Sequence, residues 1–241
     1  MIDTSNVRLL MDKKWRLFSI FGHPVYMTPS FLIICVVLAL INVNTPRQLL
    51  VGSLIIPVLF IGILLHELGH ATASKKFGYG TSEILFWGLG GVAINRYRSF
   101  RDHKKNIAIS LAGPAVSFLL GVVSGAALYA VEGGLSATGM LGEFLQLMMV
   151  LNLFWAVFNI LPIHPMDGGQ ATMSLLKLTT KNSQKAIKYT AYISFAAIIA
   201  GLVLYTVVVQ ATPTLMLLFF AAYFAYMNFK MLKEGREVQI M

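Results

Sequence analysis

The sequence predicts an all-α polytopic membrane protein: about six transmembrane helices, a small membrane-associated β-hairpin, and both termini on the cytosolic side. Three observations lead there. The 241 residues are 57% hydrophobic and only 12% charged, well outside the balance of ordinary soluble domains. The apolar residues fall into runs that match the roughly 20 helical residues a bilayer core requires. The basic residues collect in alternate joins between those runs, as the positive-inside rule expects.

The elements follow in order. A basic stretch (Arg8, Lys13, Lys14, Arg16) precedes the first apolar run. It resembles a signal peptide but lacks a small-x-small cleavage site, so the run reads as a retained first helix. Gly22, Pro24 and Pro29 break the opening of this run, leaving an extended start and a helix only over about 29–44, short for a span. Helix 2 covers about 47–74, with Pro57 kinking it and Lys75 and Lys76 closing it. Next come two short apolar pieces, Ile84 to Trp87 and Val92 to Ile94, separated by Gly88, Gly90 and Gly91; these read as a β-hairpin. Helix 3 runs over about 106–131 through Gly113-Pro114, and helix 4 over about 143–161, stopping at Pro162 and Pro165. From Tyr189 to Phe229 no residue is charged. That is too long for one span, and Thr212-Pro213 is the natural turn between helices 5 and 6.

The joins leave no room for a separate soluble domain, so residues 1–241 are expected to form one membrane-embedded domain. Its motif-bearing core lies over about 20–170, with helices 5 and 6 (about 186–231) peripheral. The formal net charge is +9. In a soluble protein that would suggest nucleic acid, but eighteen of the nineteen basic residues fall on one side of the six-helix topology and only Arg47 on the other. The charge therefore sets orientation toward the cytosol and excludes nucleic acid as a partner. The single cysteine, Cys35, lies within the first apolar run, which excludes an intrachain disulfide and a cysteine-based metal site.

Against this apolar background the stretch His66-Glu67-Leu68-Gly69-His70, at the cytosolic end of helix 2, is out of place. Histidines four apart share one helix face and can aim a nitrogen each at one metal ion. A catalytic zinc commonly has three protein ligands and an open fourth position, so a third ligand is needed. Ionisable groups at membrane depth are few, and the candidates are Asp167, His164 and His23. Asp167 is the strongest: it lies at the same depth, between the prolines before it and Gly168-Gly169 after it, where an unwound backbone can aim a carboxylate inward.

These residues carry a resemblance. HELGH at the end of an apolar helix, followed by Asn159-Ile160-Leu161-Pro162-Ile163-His164-Pro165-Met166-Asp167-Gly168-Gly169 in a later one, resembles the site-2 protease family of intramembrane zinc metalloproteases. The resemblance covers roughly residues 20–170, with weaker parts at Gly90-Gly91 and at Leu111-Ala112-Gly113-Pro114. It implies one zinc ion held by His66, His70 and Asp167, and Glu67 as the general base of peptide hydrolysis near the cytosolic face. It also implies that Asn159, Gly90 and Gly91 contact substrate, with residues 83–95 offering a strand edge to an unwound transmembrane segment. The expected setting is a bacterial or archaeal cell membrane, the substrates membrane proteins or leftover signal peptides. A regulatory membrane partner would fit the short loops, which leave no place for PDZ or CBS domains.

Blander readings stand beside these. Asn152 and Asn159, seven apart on helix 4, serve equally well as interhelical hydrogen-bond partners. His164 suits a loop role, and His23 and His103 read as structural or surface residues. Gln170 departs from the basic residue that many relatives carry there. A membrane metal-binding, transport or scaffold protein would keep the same ligands, although it would not need Glu67 beside them.

Overall fold

The computed structural model describes residues 14–41, 43–88, 90–95, 102–210 and 212–236. In chain order the elements are β1 (Trp15–Ile20), β2 (His23–Met27), α1 (Pro29–Leu40), α2 (Pro46–Ser53), α3 (Ile55–Lys76), β3 (Ser82–Trp87), β4 (Gly90–Asn95), α4 (His103–Glu132), α5 (Met140–Ile160), α6 (Asp167–Thr180), α7 (Ser183–Val209) and α8 (Leu215–Glu234). Among the described residues, five helical stretches are long and apolar enough to cross a membrane: α2 with α3, then α4, α5, α7 and α8. The chain divides into two compact units, one of residues Met1–Arg98 with Ala112–Val157, the other of Ser99–Leu111 with Phe158–Met241.

In the first unit the expected hairpin is present as β3 and β4, but it is half of a four-stranded sheet in the order β1-β2-β3-β4. The extended opening forms the other half, an antiparallel β1–β2 pair. Phe21 and Gly22 both take positive φ, 52° and 85°, the backbone twist that tight hairpin turns favour. Strands β2 and β3 are parallel, so the chain between them must leave the sheet and return to its starting end. Helices α1 to α3 make that excursion.

Against the six helices expected, five stretches qualify as candidate spans among the described residues, and the first apolar helix is the shorter one. The first apolar helix has only 12 residues, about 18 Å at 1.5 Å per residue, too short to cross alone. Strand β4 follows the C-terminal half of α3, from Gly91 against Ile63 and Glu67 to Asn95, whose amide donates to the Ser74 hydroxyl at 2.8 Å. The Ala39 carbonyl of α1 is set against Gly52 of α2 so closely that a Cβ there would collide with it.

Helix 2 of the expectation is two helices. The ring of Pro57 clashes with a helical carbonyl four residues back, at Ser53, and α2 ends at that residue. Thr45 and Gln48 close a capping box at the start of α2, and Arg47 lies 3.8 Å from Glu143 at the start of α5. The core of this unit gathers Val25, Phe31, Leu64, Leu68, Ile84 and Phe86. The Phe86 ring stacks on Phe60 at 4.9 Å and meets Phe31 edge-on at 5.0 Å.

In the second unit, α7 and α8 are separated at Thr212-Pro213 as the sequence predicts. A 14-residue helix that the sequence reading did not assign, α6, begins at Asp167. Met173, Ala186, Ile187, Ala191, Met227 and Met231 form one core of this unit; Ile163, Met166 and Phe224 form another. The Asn182 side chain caps α7 by accepting from the Lys185 amide at 3.0 Å. Of the basic residues used for orientation, Arg8, Lys13, Arg96, Arg98 and Arg101 lie outside the described residues.

Candidate metal centre

Helix α3 carries the first half of the centre. One helical turn apart, His66 and His70 bring their Nε2 atoms to 3.2 Å of each other, with the ring planes nearly perpendicular at 80°. Both His66 and Glu67 are buried. In the same unit, α4 is shaped around the pair. A Cβ at Gly113 would collide with the His70 ring, at its Nε2 first, so only glycine lets that imidazole lie on α4. One turn later the Ser117 hydroxyl stands 2.9 Å from His66 Nδ1. Between these rungs Gly69 meets the Ala112 carbonyl, 2.7 Å from where its Cβ would stand. On the other flank the Trp155 ring of α5 meets His66 edge-on at 6.5 Å.

Gly91 and Gly90 of β4 come close to this group. A Cβ on Gly91 would run into Ile63 and stand 2.8 Å from Glu67 Cγ and 3.1 Å from its Oε1. Gly90, at φ 134°, faces Trp155, with 3.6 Å from its would-be Cβ to the ring. The two expected substrate-contact glycines therefore border Glu67 and Trp155. Asn152 is buried; its Oδ1 is 2.8 Å from a would-be Cβ on Gly62, and its amide donates to the Met148 carbonyl at 2.8 Å. The hydrogen bond stays within α5, while the side chain packs on Gly62 of α3.

The second unit supplies Asp167. Helix α5 ends at Ile160, residues 161–166 form an irregular loop, and Asp167 opens α6. Gly168 and Gly169 are glycines because the loop folds back on them: a Cβ at Gly168 would strike the Ile160 and Leu161 carbonyls, and one at Gly169 the His164 amide. Two helices hold the loop from behind. Ser194 of α7 accepts from the His164 amide at 3.0 Å, and Asn228 of α8 donates to the His164 carbonyl at 2.6 Å. His164 thus serves the loop through its backbone, and Gln170 does so through its side chain, donating to the Pro165 carbonyl at 3.1 Å. Asn159 is half-buried in the last turn of α5.

Among the described residues, His66 and His70 of the first unit and Asp167 of the second are a group that could hold a metal ion. Two neutral imidazoles and a carboxylate are a donor set for zinc, with a coordination position to spare.

Comparison with known proteins decides the family. The profile described as Peptidase family M50 matches residues 54–141 and 127–201, more than half of the chain. This chain belongs to peptidase family M50. Zinc metalloprotease MJ0392 of Methanocaldococcus jannaschii is 31% identical over 166 residues, which cover 69% of this M50 chain and 46% of that protein. The Synechocystis sp. protein sll0528 is 29% identical over 192 residues, 73% of this chain and 48% of its own length. The chain thus spans about half the length of these two relatives. Among solved structures, the Site-2 Protease from Methanocaldococcus jannaschii superposes with a TM-score of 0.61 at 27% identity, covering 95% of this chain and 98% of that one. The donor set of this M50 centre suits zinc, the metal for which the MJ0392 relative is named.

Sequence reasoning missed three residues around the site: Ser117, Ser194 and Asn228. Each is a buried polar group on an otherwise apolar helix, a signal present in the sequence but shared with ordinary interhelical contacts.

Proposed function

We propose that this chain is an intramembrane zinc endopeptidase that hydrolyses peptide bonds within or beside transmembrane segments, near the cytosolic face. The observation that carries the reading is the carboxylate of Glu67 one residue from His66, in the turn that turns two imidazole nitrogens toward each other. A transport or scaffold protein needs the ligands alone; hydrolysis needs a base next to them.

His66, His70 and Asp167 would hold zinc, which when bound lowers the pKa of a coordinated water and polarises a carbonyl oxygen. Glu67 takes the proton of the attacking water and hands it to the leaving amine, so one water is consumed and a carboxylate and an amine are released. A helical substrate hides its peptide bonds in its own hydrogen bonds and must be held extended. Strand β4 is suited to hold it by strand addition: it ends the sheet, and its Gly91 lies against Glu67. Strand β3 has neighbours on both sides, so the edge belongs to residues 90–95 rather than to the whole of 83–95. Asn159 is assigned to substrate or to the motif loop.

The basic residues orient the molecule with both termini and the centre toward the cytosol of a bacterial or archaeal cell membrane. Substrates are membrane proteins or leftover signal peptides, with room for a regulatory membrane partner.

The test compares detergent-purified wild type with Glu67→Gln and Asp167→Asn for zinc content and for cleavage of a single-span substrate. Wild type should bind about one zinc and cut, Glu67→Gln should bind and not cut, and Asp167→Asn should lose metal. A wild type that binds zinc but cuts no substrate, with all three proteins equal, would favour a non-proteolytic metal-binding membrane protein.

A further inference from the structure

We infer that Ser117 is a positioning residue for the zinc ligand His66: its hydroxyl accepts the Nδ1 proton of the imidazole and thereby fixes Nε2 as the nitrogen that binds metal. The inference rests on the zinc reading above and adds a residue to it.

The geometry is specific. His66 Nε2 faces His70 Nε2 at 3.2 Å, so the metal-binding edge of His66 is its Nε2 edge. The opposite nitrogen, Nδ1, is 2.9 Å from Ser117 Oγ. With metal on Nε2 the ring's one proton must sit on Nδ1, where it requires an acceptor. Ser117 is fully buried and His66 nearly so, which leaves water little part in that role; an unmet N–H there would carry the full cost of burial.

The register of the two helices makes the contact unavoidable. Gly113 accepts the face of the His70 ring, and Ser117 is one turn further along α4 just as His66 is one turn back along α3. The pair Gly113 and Ser117 therefore reads the pair His70 and His66 rung by rung. The Ser117 hydroxyl is short and accepts a hydrogen bond at the 2.9 Å that separates it from Nδ1. Without it His66 can turn about its side-chain bonds, and the two Nε2 atoms lose their common target. Ser117 touches neither substrate nor reacting atoms; it acts through His66.

The experiment uses purified full-length protein and reads the metal directly. Zinc affinity is measured by chelator competition, and the visible spectrum is recorded after replacing zinc with cobalt(II), whose bands respond to ligand geometry. Ser117→Ala is compared with Ser117→Thr, which keeps the hydroxyl, and with Ser124→Ala, which removes another buried serine from the same helix. Ser117→Ala should bind zinc about 10- to 100-fold more weakly and shift the cobalt bands. Ser117→Thr should restore both, and Ser124→Ala should leave both unchanged. Wild-type affinity and spectrum in Ser117→Ala would overturn the inference while leaving the zinc reading intact; absence of zinc from wild type would overturn both. If Ser117→Ala does not fold, Ser117→Cys replaces it, since a thiol fills the same space but accepts weakly, and an unaltered cobalt spectrum there would equally overturn the proposal.

Discussion

Two glycines of the site are placed by what a methyl group would strike, and they separate metal binding from chemistry. At Gly113 the obstacle is the His70 ring; at Gly91 it is Ile63 and the Glu67 side chain. Gly113→Ala should therefore displace a ligand, lowering zinc affinity by at least about tenfold, in line with other losses of ligand support. Gly91→Ala should leave zinc in place and move the base, so cleavage falls by about 10²-fold, the scale of a mispositioned proton acceptor, with metal content unchanged. Metal analysis and a cleavage assay on the two variants check both halves. Equal zinc loss in the two would mean that β4 supports the ligands rather than Glu67. The four residues proposed for the chemistry stand out in the sequence because His, Glu and Asp are rare in apolar helices. It could not expose Gly113 and Gly91 in these roles, since small residues in membrane helices and hairpins are common for packing alone.

Among the elements, the long helices and the hairpin were legible because length, proline and charge-free runs are local properties. The place of β2 beside β3 was not, since that partner lies some sixty residues away in sequence and nothing local announces a parallel pairing. The sequence predicts the short α1 as a helix over about 29–44, too short for a span, and the structure has it over Pro29–Leu40. Helix α6 was hidden by the attention that prolines and glycines draw to a break; its start is fixed by a loop that α7 and α8 hold through Ser194 and Asn228. The four-strand order also moves the test of strand addition. Proline within residues 83–87 would disrupt an interior strand, whereas on β4 successive amides alternate between the ladder with β3 and the open edge. Of Val92→Pro and Ala93→Pro, the variant that removes an outward amide should keep its zinc and its fold yet cut about five- to tenfold more slowly, the worth of one main-chain hydrogen bond. Wild-type cleavage by whichever variant remains folded would rule out β4 as the substrate's partner.

At the scale of the whole molecule, the start of the β2–β3 pairing is where the chain closes its excursion through α1, α2 and α3, and His23 is the fastening. Its Nδ1 accepts the Ser82 amide at 3.0 Å, and the ring is fully buried. Burial holds its pKa below the usual histidine value, the backbone of Ser82 opposes that shift, and the nearby Lys75 adds to it. Lys75 is itself committed to the Phe21 carbonyl at 2.9 Å, so the positive charge stays close. The sign follows from proton counting. Above about pH 6.5, where an unfolded histidine is neutral, neither state gains by binding a proton and the fastening holds. As pH falls below that value the unfolded chain takes up a proton that the buried ring refuses, and stability declines. A proton on Nδ1 would also end its acceptance of the Ser82 amide, leaving the Ser82 carbonyl at 3.2 Å as its partner. Thermal unfolding of wild type should thus shift to lower temperature between pH 7.5 and 5.5, while His23→Gln, which keeps an acceptor but cannot titrate, should show a shallower dependence. Equal slopes in the two proteins would place the acid-sensitive group elsewhere and leave His23 a purely structural acceptor.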